Sequence, residues 1–323
     1  MQEIYLDNCA TTRVDKDAAK LAESVMLVNY GNPSSLHKKG IETELILDEA
    51  RRRLAVALGC ETGEVYFTSG GTEANNIAVL GAADANRRAG NKIVTTAWEH
   101  SSVLESAREL EKRGFSLEII APEKDGHIDV KKIANASSGA ALVSCMMVNS
   151  EVGGVAGMEK LVSLIKSKNS KTLVHCDAVQ GFGKLDFSVK KFGVDLLSVS
   201  GHKIHAPKGV GALYVKKTAR VSPLFFGGGQ EKKLIPGTEP LPLIAAFGLA
   251  AETACKNLQA NFEHVRMLFE HFVKKSAMID GLCMNSPPDS TPYICNVSLL
   301  GYRSETVLHY LASKGIYISS GSA

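Results

Sequence analysis

Short apolar segments alternate with longer amphipathic segments along most of the chain. Segments of the first kind, which predict buried strands, are residues 64–67, 92–97, 117–121, 141–148, 172–176, 195–199 and 212–215. The intervening segments 41–58, 72–88, 101–113 and 158–167 carry apolar residues at helical spacing. In the first of these, Ile41, Leu45, Leu54 and Leu58 share one helical face, and Gly59 follows. This alternation predicts an α/β fold with a mostly parallel sheet covered by helices on both faces.

The last quarter of the chain has a different pattern. Residues 241–278 predict a long helical stretch, after which 293–298 and 316–319 read as strands and 305–314 as a helix. We therefore expect a large domain of residues 13–252 and a smaller α+β domain built from 1–12 and 253–323. The C-terminal part of that smaller domain is expected to be incomplete.

Three predicted strands end in residues that bear chemistry. Lys203 follows the strand at 195–199 in a turn with Ser200 and His202, and Asp177 ends the strand at 172–176. The third strand is followed by Thr68-Ser69-Gly70-Gly71-Thr72, a small-residue turn that opens a helix. In parallel sheets ligands bind at the carboxyl ends of the strands. A lysine for an aldehyde, an aspartate for a pyridine nitrogen and a glycine turn for a phosphate together indicate pyridoxal phosphate.

Each candidate residue also has an ordinary structural interpretation. Lys203 would hold the cofactor aldehyde, although a lysine in a turn can also be a plain surface residue. Asp177 would accept a hydrogen bond from the protonated pyridine nitrogen, or else be an ordinary carboxylate at a strand end. Gln180 fits a donor to the phenolic oxygen of the cofactor.

The phosphate of the cofactor would bind where the glycine turn meets the helix. Gly71 and Thr72 can offer backbone N–H groups and a hydroxyl there, and the helix dipole adds attraction. Ser200 and His202 would supply further contacts to the phosphate.

Composition excludes several other classes of protein. The 323 residues carry a net charge of +3 with 45% hydrophobic and 22% charged residues, and no basic block or apolar run points to nucleic acid or a membrane as a partner. No G-x-G-x-x-G follows a strand, no P-loop occurs, and His202 and His205 lack a third ligand at metal spacing, so no metal site is predicted. The seven cysteines are widely spaced and the N-terminus shows no signal peptide, which favours a cytoplasmic protein with reduced thiols.

The strand-end motifs, together with segments 5–12, 31–37 and 227–231, resemble those of cysteine desulfurases, a branch of the class V, fold-type I enzymes that use pyridoxal phosphate. The similarity runs from residue 5 to the end of the chain. It implies L-cysteine as substrate, a homodimer, and a scaffold protein that accepts the sulfur for iron–sulfur cluster assembly or tRNA thiolation.

The resemblance also assigns roles that the residue pattern does not. His100 would stack on the cofactor ring and act with Lys203 as a catalytic acid and base, whereas a histidine at a helix start is otherwise usually structural. Thr238 would reach the cofactor phosphate of the partner subunit. Asn32 and Asn149 would lie near the substrate, although Asn32 also fits a plain turn.

The chain departs from the family pattern at two places. Ser150 replaces the second asparagine of Asn-Asn-Glu, and Ile235 stands where an arginine is common. In the family, the nucleophilic cysteine and the arginine that grips the substrate carboxylate both come after the phrase that ends at Ala323. We therefore expect residues 1–323 alone to bind the cofactor weakly and to release no sulfide. Cys176 is a poor substitute because neighbouring strand residues face opposite ways.

Two alternative functions stay open at this point. The first is another class V activity, such as a selenocysteine lyase or an aminotransferase of small amino acids. The second is a protein of this fold without turnover, acting as a binding or scaffold subunit.

Overall fold

A seven-stranded sheet forms the centre of the molecule. The computed structural model describes residues 3–321. The strands lie in the order β2-β8-β7-β6-β5-β3-β4, and β8 is the one that runs antiparallel to its neighbours. Their bounds are β2 Val65–Thr68, β3 Lys92–Thr96, β4 Ser116–Ile120, β5 Ala140–Ser144, β6 Leu173–Asp177, β7 Leu196–Ser200 and β8 Gly211–Val215.

This sheet confirms the predicted fold class and all seven predicted strands. The largest difference is in β5, which ends at Ser144 although the apolar run continues to Val148. Val148 instead pairs with Val155 in an isolated antiparallel bridge, because the chain turns back on itself over residues 149–154. Apolar character alone does not reveal where a buried segment leaves the sheet.

Helices cover both faces of the sheet. They are α1 Lys16–Leu27, α2 Lys38–Leu58, α3 Gly71–Asn76, α4 Ala82–Ala85, α5 Ser101–Lys112, α6 Val130–Ala136, α7 Met158–Lys168, α8 Val189–Phe192, α9 Leu241–Lys256, α10 Leu258–Ser276 and α11 Ser304–Ser313. Buried residues of α2, α6, α7 and α9 form one apolar cluster with the sheet, and those of α3 to α5 form a second cluster. Alternate strand residues belong to alternate clusters, as in Leu173 and Val174, so the sheet is buried on both sides.

Two predicted helices are interrupted. The predicted helix at 72–88 consists of α3 and α4 joined by a π-helical segment, Ile77–Gly81. The predicted helical stretch at 241–278 breaks at Asn257 into α9 and α10. Most of the first half of α9 is buried, whereas Ser276 is the one buried residue of α10. The break therefore separates a core helix from a surface helix.

The C-terminal part contributes strands to two small sheets. Strand β9 Leu282–Met284 pairs antiparallel with β10 Val297–Leu299, and β1 Ile4–Tyr5 pairs parallel with β11 Ile316–Tyr317. The predicted strand at 293–298 is shorter than expected because residues 291–294 form a turn. The division of the chain into two domains stays a prediction. Among residues 3–321, no helix combines the length and the apolar character needed to cross a membrane.

Candidate active site

A cavity of about 230 Å³ opens at the carboxyl ends of the central strands. We call it the strand-end cavity. Eight of the predicted site residues line it, namely Gly71, Thr72, His100, Asp177, Gln180, Ser200, His202 and Lys203. The remaining lining residues are Cys9, Ala10, Asn75, Ser102, Met146, Ser150, Val179, Ser319 and Gly321. Residues from seven separate parts of the sequence therefore meet at one edge of the sheet.

Lys203 reaches the cavity from a single 3-10 turn, Gly201–Lys203, that directly follows β7. Its Nζ donates hydrogen bonds to the carbonyl oxygens of Cys9 at 2.5 Å and Ala10 at 2.8 Å. Burial lowers the pKa of the Lys203 amine below its ordinary value. The segment before α1 also holds the turn, since Thr12 donates to the carbonyl oxygen of His202 through both its backbone N–H and its hydroxyl, each at 2.9 Å.

Asp177 is the buried carboxylate of the site. It ends β6, and its side chain accepts hydrogen bonds from Asn75 Nδ2 at 2.8 Å and from the backbone N–H of Val179 at 3.0 Å. Burial raises the pKa of Asp177, while these two donors and the nearby His100 oppose the rise. The carboxylate is thus held ready to pair with a protonated group in the cavity.

His100 lies at the N-cap of α5. Its Nδ1 accepts a hydrogen bond from the backbone N–H of Ser102 at 3.1 Å, which assigns the ring proton of the neutral imidazole to Nε2. Asn75 Nδ2 also donates to Ser102 Oγ at 2.9 Å. Asn75 therefore links the histidine end of the cavity to Asp177.

The start of α3 provides a cradle with no side chain in it. A Cβ at Gly71 would lie 2.8 Å from Val179 Cγ2 and 3.4 Å from Ser200 Cβ, so no larger residue fits without displacing its neighbours. Thr72, Ser200 and His202 line the same cavity. Burial, together with the charge of Lys203, lowers the pKa of His202 to about 4, so this imidazole is neutral near pH 7 and can donate or accept a hydrogen bond.

Three predicted site residues lie outside the lining of the strand-end cavity. Asn32 is exposed, and its side chain accepts a hydrogen bond from the backbone N–H of Ser34 at 2.9 Å. Asn149 is buried in the 149–154 turn, where its Oδ1 accepts from the N–H of Val152 at 2.8 Å. Thr238 is exposed on the loop before α9. Their assignment to substrate or cofactor stays a prediction.

Sequence reasoning missed Asn75, which lines the cavity, and Lys184, which donates a hydrogen bond to the lining residue Gln180. Asn75 follows Gly71 by four residues and Lys184 follows Gln180 by four, so a search for polar partners one helical turn further along would have found both. The two departures from the family pattern have different surroundings. Ser150 lines the strand-end cavity, whereas Ile235 packs against the second apolar cluster.

The residues of the cavity fit pyridoxal phosphate. Asp177 can receive a protonated ring nitrogen, the Gly71 cradle can receive a phosphate, and Lys203 can bind an aldehyde covalently. Asn75 Oδ1 is buried without a hydrogen-bond partner among the described residues, which leaves it as an acceptor at the ring position. Fold and cavity together define a fold-type I enzyme that depends on this cofactor.

Comparison with known proteins agrees with that class. The aminotransferase class-V family matches residues 4–323. A cysteine desulfurase IscS of Clostridium botulinum (strain Hall) is 38% identical over 327 residues, which cover 100% of this chain and 82% of the relative. The chain belongs to the aminotransferase class-V family, on the branch that contains cysteine desulfurases, and its cofactor is pyridoxal phosphate.

Solved structures extend the likeness to three dimensions. A NifS-like protein has a TM-score of 0.96 and 36% identity, covering 99% of this chain and 88% of its own. SspA, solved in complex with cysteine, has a TM-score of 0.86 and 30% identity, covering 100% of this chain and 90% of its own.

Proposed function

We propose that this protein is a cysteine desulfurase that converts L-cysteine to L-alanine and transfers the sulfur to a thiol. The observation that carries the proposal is the meeting of Lys203 and Asp177 at the ends of neighbouring strands in one cavity. Both charged forms are disfavoured by burial. Each group therefore gains from a ligand that supplies an aldehyde to the lysine and a cationic ring nitrogen to the carboxylate.

The residues of the cavity divide the work between binding and proton transfer. Pyridoxal phosphate, when bound, supplies an electron sink that lets bonds at the α-carbon of an amino acid break. Asp177 would hold the ring nitrogen in its protonated form. Lys203, whose pKa is lowered by burial, would take the proton from the α-carbon of the substrate. His100 also lines the cavity, with Nδ1 accepting from Ser102, and would exchange a proton with the substrate sulfur.

The sulfur step needs a thiolate. It attacks Sγ of the substrate, the Cβ–Sγ bond breaks, Cβ takes up a proton to give alanine, and the attacking thiol becomes a persulfide. Cys9 lines the cavity, but burial raises the pKa of its thiol, as does the carboxylate of Asp7. We therefore propose that the acceptor thiol enters from the side of the cavity where Ser319 and Gly321 lie.

The test uses the purified protein loaded with pyridoxal phosphate. L-cysteine should yield alanine and, under reductant, an equal amount of sulfide. Lys203→Ala should abolish both the products and the visible absorbance of the bound cofactor, whereas Lys208→Ala, an exchange in the same loop but outside the cavity lining, should keep them.

The product distinguishes the alternatives. A keto acid in place of alanine would identify an aminotransferase, and release of selenide from selenocysteine without sulfide from cysteine would identify a lyase. A bound chromophore with no product from any of these amino acids would mean a binding or scaffold subunit.

We also propose that the enzyme is a homodimer in which Thr238 contacts the cofactor phosphate of the partner. Two features support this. Thr238 is exposed on its own chain, and large apolar side chains nearby in sequence are exposed as well, with Phe225 at 56% and Phe226 at 89%. Apolar surface of this kind is typical of interfaces.

Mixing variant protomers tests the dimer. Heterodimers of Thr238→Ala and Lys203→Ala protomers carry both changes in one site and none in the other, if Thr238 acts across the interface. They should then keep one fully functional site for each dimer. Thr218→Ala, on another exposed loop, is the matched control. Cofactor retention that depends only on changes within the same chain would contradict the cross-subunit role.

The most detailed part of the proposal is the destination of the sulfur. We propose a cytoplasmic enzyme that passes persulfide sulfur to a scaffold protein for iron–sulfur assembly or to tRNA thiolation, with no direct nucleic acid contact. The name IscS of its relatives supports the role in sulfur transfer. The seven cysteines, which are all described and all unpaired, support the cytoplasmic location. Transfer of labelled sulfur from L-cysteine to a purified scaffold protein would test it.

A further inference from the structure

Lys184 is a buried lysine that contacts Gln180, a residue of the strand-end cavity. Lys184 is 8% exposed, and its Nζ donates a hydrogen bond to Gln180 Oε1 at 3.0 Å. The Nζ also lies 6.0 Å from the centre of the Tyr293 ring. Among the described residues, the charged groups that act on the Lys184 amine are Lys203 and Cys9, and neither is a carboxylate. Burying a cation without a counter-ion costs folding free energy, so we expect Lys184 to have a functional role.

The partner of Lys184 is itself a residue of the cavity. Gln180 Nε2 donates to the carbonyl oxygen of Cys9 at 2.9 Å, the same oxygen that accepts from Lys203 Nζ. A lysine ammonium only donates and a carbonyl oxygen only accepts. Between these two neighbours the amide of Gln180 has one satisfactory orientation, with Oε1 towards Lys184 and the N–H donors towards the cavity.

We propose that Lys184 is a positioning residue that fixes the Gln180 amide so that it presents a hydrogen-bond donor to the phenolic oxygen of the cofactor. The inference rests on the proposed function, since it needs the cofactor in the strand-end cavity. Without Lys184 the amide can rotate by half a turn and place its carbonyl oxygen towards the cofactor oxygen, where two acceptors would repel each other.

The proton affinity of the Lys203 nitrogen depends on the orientation of the Gln180 amide. With the cofactor bound to that nitrogen, the nitrogen would share its proton with the phenolic oxygen. A donor to that oxygen would then weaken the hold of the nitrogen on the proton. Loss of the donor should therefore raise the pH at which the visible band of the loaded protein changes, by about half a pH unit or more. The other titratable groups near Lys184 are Cys9, Lys203, His202 and Tyr293.

The experiment compares the pH titration of the visible band in variants that keep the bound cofactor. Lys184→Met should shift the transition upwards, and Lys184→Arg, which keeps charge and donors, should leave it near the wild-type pH. Lys92→Met is the matched control, because Lys92 is a half-buried lysine at the opposite end of the sheet. If Lys184→Met does not fold, Lys184→Gln takes its place in the same comparison.

A double-mutant cycle separates positioning from simple charge. In a Gln180→Leu background, Lys184→Met should add less than half of the shift that it causes in the wild type. An equal shift in both backgrounds, or no shift in the wild-type background, would overturn the inference. Failure of the proposed function is a different result, namely a wild-type protein with no band that depends on Lys203.

Discussion

Arg51 and Glu231 form a two-pronged ion pair that joins helix α2 to the loop that carries Thr238. The Arg51 nitrogens lie 2.6 and 2.9 Å from the two carboxylate oxygens, and the same carboxylate accepts the backbone N–H of Phe67 at 2.9 Å. Glu231, Lys232 and Lys233 have φ of 43°, 55° and 68°, in the left-handed region. Such a conformation costs about 1–2 kcal/mol for each non-glycine residue, so the ion pair stabilises a strained turn.

Arg51→Met should lower the free energy of unfolding by about 3 kcal/mol, because it leaves the Glu231 carboxylate buried without its cation. Denaturant unfolding of the loaded protein measures this. Arg52→Met is the control, since Arg52 pairs with Glu49 at the surface and should contribute less than about 1 kcal/mol. Equal effects of the two changes would show that the buried pair does not hold the turn.

Asn75→Ala should weaken cofactor binding about tenfold, because it removes a hydrogen bond to the buried Asp177 carboxylate. The neighbouring Asn76 faces outwards and donates to the carbonyl oxygen of Thr72, so Asn76→Ala is a control on the same helix. Titration of the apoprotein with pyridoxal phosphate gives both dissociation constants. If Asn75→Ala binds as tightly as the control, Asn75 does not support Asp177.

His175 should make the protein less stable in acid. Burial lowers its pKa from 6.5 to about 3, and its ring nitrogens bond to Ser144 and Ser198, each at 2.9 Å. As the pH falls below 6.5 the unfolded chain binds a proton that the folded chain refuses until about pH 3. Stability from this group is therefore complete above pH 6.5 and is lost progressively below it, by about 2.5 kcal/mol at pH 4.5.

The measurement is the change in unfolding free energy between pH 6.5 and pH 4.5. His175→Asn cannot titrate and should show a smaller loss than the wild type over this range. His264→Asn, an exchange of an exposed histidine on α10, should match the wild type. Identical losses in His175→Asn and wild type would contradict the role of burial.

The sequence was sufficient to predict the central sheet and most of the strand-end cavity. Buried strands are continuous apolar runs, and their carboxyl ends meet at one edge, so Asp177 and Lys203 could be brought together without coordinates. The carbonyl oxygens that bind Lys203 could not be predicted in this way. They belong to the backbone of Cys9 and Ala10, and a backbone group has no residue type that marks its role.

Other contacts depend on geometry that no local pattern encodes. Glu231 reaches Arg51 across 180 positions of sequence. Lys184 reads as a surface lysine until the fold buries it against Gln180. The break between α9 and α10 is likewise invisible, because the residues on either side of Asn257 are good helix formers.

Cys9→Ala should leave alanine formation within about twofold of the wild type. The reason is that Gln180 and Lys203 contact the carbonyl oxygen of Cys9, which alanine keeps, while burial raises the pKa of the thiol and disfavours the nucleophilic thiolate. The measurement is alanine produced from L-cysteine, with Lys203→Ala as the inactive reference. A Cys9→Ala enzyme that keeps its full cofactor absorbance but forms no alanine would identify Cys9 as the sulfur acceptor. That result would overturn the proposal that the acceptor thiol enters the cavity from the side of Ser319 and Gly321.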